Sequence, residues 1–223
     1  MSKTLQDVLD MIRDNGIEMV DFKLTDIDGR WRHLSIPAKT LSMIGDVKVI
    51  CLPENKPFDQ YPRNVAKRAL EYMKETGIAD TMIIGPEYEF YIFDDVSFEV
   101  SSQNVSYNVF AKQAHWASND EMSNNGYQIQ HGKGYHTSLP LDVCNDLRSR
   151  MCLAMADYGV EVKYHHPEVG GCGQMEIEVE LGEMLKLADD TMSAKYVIKN
   201  EAAAEGITAT FMPKPLASEA GSG

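Results

Sequence analysis

The 223 residues are 43% hydrophobic and 25% charged, the balance of a water-exposed chain long enough to bury one large core or a small and a larger one. Against 21 Lys and Arg stand 34 Asp and Glu, and the net charge of −13 argues against nucleic acid as a partner, since phosphate backbones need clustered cations. No apolar run approaches the ~18 residues of a membrane span, and the polar start MSKTLQDVLD does not read as a secretory leader, so a cytoplasmic protein with no membrane partner is expected. Cys51, Cys144, Cys152 and Cys172 show neither a CxxC pair nor zinc-ligand spacing and read as reduced thiols.

Leu5, Val8, Leu9 and Ile12 recur at helical spacing, and Asn15-Gly16 supplies a stop. The runs IEMVDFKLTDI and RWRHLSIP, joined by Asp28-Gly29, predict a hairpin with a tight turn. DIDG matches the opening of a calcium loop but lacks the later ligand positions, so the turn accounts for it. Between Ser42 and Pro57 one short strand precedes a loop rich in Pro and Asn, which places a domain boundary there and gives domains 1–57 and 58–223. Pro62 then opens a helix striped by Val65, Ala69, Leu70 and Met73 and closed by Gly77. TMIIGPEYEFYIFD reads as a strand pair or one interrupted strand.

Residues 95–140 are rich in Ser, Asn, Gly and His and read as a long functional loop. Within it HGKGYH falls short of a phosphate-loop pattern. Val143, Leu147, Met151, Met155 and Tyr158 define the next helix, with Asp142 as cap and Gly159 as stop. VEVKYHH and QMEIEVE read as strands. A long helix over Glu183–Glu205 turns Leu185, Ala188, Met192 and Tyr196 inward, ITATF is a last strand, and MPKPLASEAGSG is loop. Hairpins among the helices predict an α+β fold with antiparallel pairing, not a doubly wound sheet.

The chemistry lies in two of these strands. Period-two alternation sends Glu87 and Glu89 to one face, with Tyr88 and Phe90 on the other; it likewise separates Glu176, Glu178 and Glu180 from Met175, Ile177 and Val179. Glu on the wet face of a half-buried antiparallel strand explains this pattern by itself. A shared site is the alternative, because Glu is disfavoured in strands yet repeats in both. The HHPE and GGCG stretches could also bring Glu168 beside Glu176. Carboxylates without thiolates suit Mg²⁺ or Mn²⁺, and two such ions serve phosphoryl transfer. His165 and His166 read as packing or orienting residues before ligands.

GPEYEFYIF, HHPEVGGCGQMEIE and TATFMPKPLASEAGSG, in that order and flanked by PRNVAKRALEYMKETGIAD and KGYH, resemble the type I glutamine synthetases of bacteria almost end to end. The resemblance implies a small N-terminal β-grasp-like domain followed by a catalytic domain with a curved antiparallel sheet and flanking helices. It implies ATP-dependent ligation of ammonia to L-glutamate through a γ-glutamyl phosphate, with two Mg²⁺ or Mn²⁺ ions. By that resemblance Glu87 holds the ion beside the phosphates, and Glu89, Glu168 and Glu176 hold the other. Tyr135 lies near the ammonium, Gly221 in the loop that contacts glutamate, and Lys163 where some members place a nucleotide-contacting Glu. Glu178 and Glu180 become ordinary wet-face residues. A homo-oligomer of two stacked hexameric rings, a dodecamer, is implied as well.

The match has gaps. Ala220 stands where many members carry Asn, and a loop of GFDGSS type, whose Asp takes the ammonium proton, is missing between Leu41-Ser42 and Met43-Ile44. Family members continue past Gly223 into a metal-binding histidine and substrate-binding arginines. The expectation is therefore either a chain inactive by itself or a piece of a longer enzyme. A γ-glutamyl-amine ligase of the same fold and a non-catalytic assembly protein are the rival readings.

Overall fold

Asp28-Gly29 makes the turn its sequence calls for: Gly29 adopts φ +74°, and Asp26 accepts hydrogen bonds from the backbone N–H groups of Asp28 and Arg30. A computed structural model describes residues 4–44, 58–117 and 126–223. They fall into two compact units, Met1–Met82 and Ile83–Gly223. In the first, helix α1 (Leu5–Asp14) opens on a capping box, Thr4 and Asp7 exchanging side-chain and backbone hydrogen bonds. Strands β1 (Met19–Thr25) and β2 (Trp31–Pro37) pair antiparallel from Met19↔Pro37 to Thr25↔Trp31. Helix α2 (Ala38–Ile44), which no sequence signal announces, follows directly. Helix α3 (Pro62–Glu75) begins on its proline, as predicted. The strand expected before Pro57, and Cys51 with it, lie outside the described residues.

The second unit carries β3 (Ile83–Ile84), β4 (Glu87–Phe93), β5 (Asp95–Val100), β6 (Val105–Phe110), α4 (Asn145–Asp157), β7 (Val162–Pro167), β8 (Gln174–Val179), β9 (Gly182–Glu183), α5 (Met184–Ala204) and β10 (Thr208–Thr210). Four strands make one sheet in the order β10-β4-β8-β7, and each neighbouring pair is antiparallel. Tyr88, Phe90 and Ile92 of β4 and Met175, Ile177 and Val179 of β8 pack with Leu147, Met151 and Met155 of α4 and with Ala194, Val197 and Ile198 of α5. One face of the sheet is thus the main core; on the opposite face Tyr91 and Phe93 join a smaller core with Ala111, Ala114 and Cys172, and the part bearing Glu87 and Glu89 is left for chemistry. The fold is α+β. No helix among the described residues is long and apolar enough to cross a membrane.

Three sequence readings are corrected. Residues 95–110 form the hairpin β5–β6 instead of loop, with the turn at 101–104, where Ser101 bonds Asn104 in both directions. In α5 the buried positions are Leu187, Ala194, Val197, Ile198 and Ala202, so the helix is rotated from the face expected for Ala188 and Tyr196. Small Ala side chains let α5 approach the sheet, whereas Tyr196 lies toward the surface beside Tyr158.

The third concerns Asp142, which caps nothing; Cys144 occupies the N-cap of α4 without a side-chain bond. Asp142 instead accepts two hydrogen bonds from Arg148, at 2.8 and 2.5 Å, and both side chains are buried. Arg148 also donates to His165 Nδ1 at 3.2 Å and lies 2.9 Å from Met175 Sδ. Removing one partner of a buried pair strands the other's charge. Asp142→Leu should cost about 3–5 kcal/mol in urea unfolding, and Asp142→Leu with Arg148→Met should recover most of that. Equal stability of single and double variants would contradict the pairing.

Candidate active site

Strand register decides the site. In the β4–β8 pair Glu87 faces Glu178 and Glu89 faces Glu176; in the β7–β8 pair His166 faces Glu176. Because Met175, Ile177 and Val179 are drawn into the core, Glu176 and Glu178 must project from the other face, where Glu87 and Glu89 also lie. The turn after β7 adds Glu168, whose N–H donates to the Gln174 carbonyl at 2.8 Å. That turn folds tightly. Gly173 sits at φ +109°, and a Cβ there would collide with the Ile92 carbonyl, so only glycine fits.

Charge accumulates accordingly. Burial, followed by the hydrogen bond that the protonated Glu176 donates to Glu168 and by repulsion from Glu168, Glu87 and Glu89, pushes the Glu176 carboxyl up to about 8. Burial also raises Glu89, opposed by the N–H of Gly223 and reinforced by Glu168 and Glu87. Glu178 moves the other way, lowered first by the Lys163 ammonium, whose Nζ lies 2.7 Å from Glu178 Oε1, and then by Tyr164. His166 sits among the acids, its Nε2 3.3 Å from Glu176 and its Nδ1 3.7 Å from Glu168.

The predicted site residues divide as follows. Glu87, Glu89, Glu168 and Glu176 come close enough for each of the first three to act electrostatically on the fourth. Tyr135 stacks on His136 with ring centres 4.1 Å apart and meets His166 edge-on at 5.4 Å, so it adjoins the same cluster. The carbonyl of Gly221 accepts from the Gln174 side chain at 3.0 Å, which ties the last loop to the acids. Lys163 is committed to Glu178 and lies 5.1 Å from the Tyr164 ring centre.

Sequence reasoning missed three contributors. Gln174, 1% exposed, donates from one amide nitrogen toward Glu89 (3.1 Å), Gly221 O and Ser222 Oγ (3.3 Å), while its carbonyl accepts from Gly170 N–H at 2.8 Å. The available signal was its parity, since Gln174 in QMEIEVE shares the face of Glu176 and Glu178. His166 approaches two carboxylates instead of merely packing, whereas His165 does pack, between Arg148 and Ser149. Glu178 is no isolated wet-face residue: it offers an oxygen within 4.8 Å of oxygens from Glu87 and Glu176. Glu180 lies past the end of β8, where its N–H donates to the Glu161 carbonyl at 2.8 Å.

The chain can now be set beside known proteins. The family model for the glutamine synthetase catalytic domain matches residues 59–223. The chain is 34% identical over 270 residues to 3-hydroxylaminophenol mutase of Cupriavidus pinatubonensis and 34% over 267 residues to glutamine synthetase of Vibrio cholerae, covering 100% and 99% of this chain. In both cases it spans 57% of the relative's length. Plasmodium falciparum glutamine synthetase superposes with a TM-score of 0.86 at 24% identity, over 99% of this chain and 52% of that one. A GmaS/ADP complex superposes with a TM-score of 0.69 at 21% identity, over 97% and 54%.

The raised Glu176 carboxyl has a measurable consequence. Between the ordinary carboxyl value of 4.5 and about 8, the folded protein holds a proton that the unfolded chain has released. Metal-free stability should therefore fall as pH rises through that window. Thermal melts in chelator at pH 5 to 8 should show this slope in the wild type and a shallower one in Glu176→Gln. An unchanged slope in the variant would assign the effect elsewhere.

Proposed function

Since the chain belongs to the glutamine synthetase catalytic-domain family, we propose that it serves ATP-dependent ligation of ammonia to the γ-carboxylate of L-glutamate through γ-glutamyl phosphate. The observation that carries this reading is the convergence of Glu87, Glu89, Glu168 and Glu176 on the open face of one sheet. We take the catalytic unit to begin at residue 58, and the family's ring-shaped homo-oligomer and a cytoplasmic setting belong to the same proposal.

The residues present fit divalent cations. Ligand atoms of His166, Glu168 and Glu176 lie within 4.8 Å of one another, and so do those of Glu87, Glu176 and Glu178. A buried carboxyl that prefers its proton is a site short of positive charge. Oxygen donors with a single imidazole suit Mg²⁺ or Mn²⁺ better than zinc. In this proposal Glu89, Glu168 and Glu176 hold one ion, and Glu87 holds the second, nearer the phosphates. When bound, such ions supply the positive charge that a transferring phosphoryl group needs.

The chain's own groups would do the rest. Gln174 fixes Glu89 against the loop that carries Gly221, and that loop is the proposed contact for glutamate. Glu168 and Glu176 attract an ammonium ion and favour its approach beside Tyr135. Lys163 is the proposed nucleotide contact, reached by releasing Glu178. A second reading is ligation of a larger amine; the relative named 3-hydroxylaminophenol mutase shows that names other than synthetase occur among the chain's relatives.

Titration with Mn²⁺ by calorimetry separates a ligase site from a merely structural acidic face. Glu89→Ala and Glu176→Ala should each weaken Mn²⁺ by at least about tenfold, and His166→Ala by about tenfold. Equal affinity across wild type and variants would remove the metal site and favour a structural role.

A further inference from the structure

Beside the carboxylates opens a cleft of about 690 Å³, lined among others by Tyr135, His136, Leu139, Asn145, Tyr164 and His166. Four rings form a continuous wall. Tyr135 stacks on His136 at 4.1 Å, His136 meets His166 edge-on at 4.3 Å, and Tyr164 stacks on His166 at 5.9 Å. The backbone is strained to place this wall: His136 sits at φ +54°, held by its N–H on the Pro167 carbonyl at 3.1 Å. His166 is shared between two environments. It lines the cleft, and its ring nitrogens lie 3.3 and 3.7 Å from Glu176 and Glu168.

The size and charge of the cleft narrow what it takes. Ammonia needs about the room of a water molecule, ~30 Å³, whereas pockets of this volume hold organic ligands. Arg148 also lines the cleft, but it is 1% exposed and its charge is already met by the Asp142 carboxylate, so it presents little uncompensated charge to an anion. Asp142 is consumed by the same pair, so the second ammonium of a diamine would find no free carboxylate in the lining. What remains is an aromatic wall, the hydroxyls of Thr137 and Ser138 and the amide of Asn145, with a strongly acidic cluster at one end.

We propose that this cleft binds the aromatic substituent of a primary amine, preferably one whose ring bears a hydroxyl, with the amine nitrogen held toward Glu168 and Glu176. Edge and face contacts with Tyr135, His136 and Tyr164 hold the ring, and the carboxylates hold the charged end. The proposal rests on the ligase reading above and specifies its amine. In the step it implies, the ammonium first gives one proton to solvent, and the nitrogen lone pair so freed forms a bond to the γ-carbonyl carbon of γ-glutamyl phosphate. The bond from that carbon to the phosphate oxygen breaks, phosphate leaves with its electron pair, and the nitrogen releases a proton to solvent. The products are a γ-glutamyl arylalkylamide and inorganic phosphate.

Tyramine is the probe, with methylamine and putrescine as controls. Saturation-transfer NMR on the protein should show saturation of the tyramine ring protons. Leu139 is 66% exposed, so Leu139→Trp fills the cleft from its rim without disturbing the core. Leu139→Trp and Tyr164→Ala should each weaken tyramine by about tenfold, and Leu139→Trp should leave Mn²⁺ affinity unchanged. In parallel, mass spectrometry follows ATP-dependent conversion of glutamate with each amine. Tyramine binding no tighter than methylamine, or indifferent to Leu139→Trp, overturns the proposal. Glutamine formation without ring saturation or tyramide overturns it too and leaves the ligase reading intact. Cleft binding with no product from any amine, when the assay is run on the complete protein, overturns the ligase reading and keeps the cleft as an aromatic-amine site.

Discussion

Like charges placed directly opposite each other across two antiparallel strands repel, and in β4 and β8 this happens twice in succession, at Glu87–Glu178 and Glu89–Glu176. A sheet tolerates such a face only if something else fixes its register. Here the fixing comes from behind, where Tyr88, Phe90, Met175 and Ile177 are all but fully buried against α4 and α5. A slip of one residue would drive the glutamates into that core and expose the apolar side chains. The core therefore holds the acids together against their own repulsion.

The acids find partial relief, each differently. Glu178 takes Lys163, Glu89 takes Gln174 and the Gly223 N–H, and Glu176 retains a proton that it shares with Glu168. Of these partners only Lys163 carries a full positive charge, and it is bound to Glu178, not to Glu89, Glu168 or Glu176. The Glu168–Glu176 pair is the uncompensated one, and His166 stands within reach of both carboxylates. An arrangement that conserves negative charge in this way is suited to recruiting cations, whether metal ions or an ammonium group. Gln174 extends the effect outward: its single amide links the acid cluster, the tight turn at Gly170 and the loop carrying Gly221 into one hydrogen-bonded unit.

Much of the fold was legible because it follows from periodicity. Alternation gave β4 and β8 with the correct faces, Asp28-Gly29 gave its hairpin, and Pro62 marked the start of α3. Where two local signals competed, the reading went astray. Ser, Asn and Gln around 101–104 made the hairpin β5–β6 look like loop, although Val96, Phe98 and Val100 alternate as a strand should. Asp142 looked like a cap because its partner, Arg148, lies six residues on, inside α4, and a buried ion pair leaves no periodic trace. For the site, alternation identified which faces carry acid, but it treated Glu176, Glu178 and Glu180 alike. Only register separates them, and only the turn through Gly173 brings in Glu168.

The central claim is that these carboxylates converge because they share cations. Crystals soaked in Mn²⁺ and measured at the manganese absorption edge test it directly. The account requires anomalous peaks on the open face of the sheet, with Glu176 among the ligands and Glu89, Glu168 or Glu87 completing the coordination at 2–2.5 Å or so. A site left without a peak at saturating Mn²⁺, or manganese bound only at acids elsewhere such as Asp21 or Asp26, would contradict it.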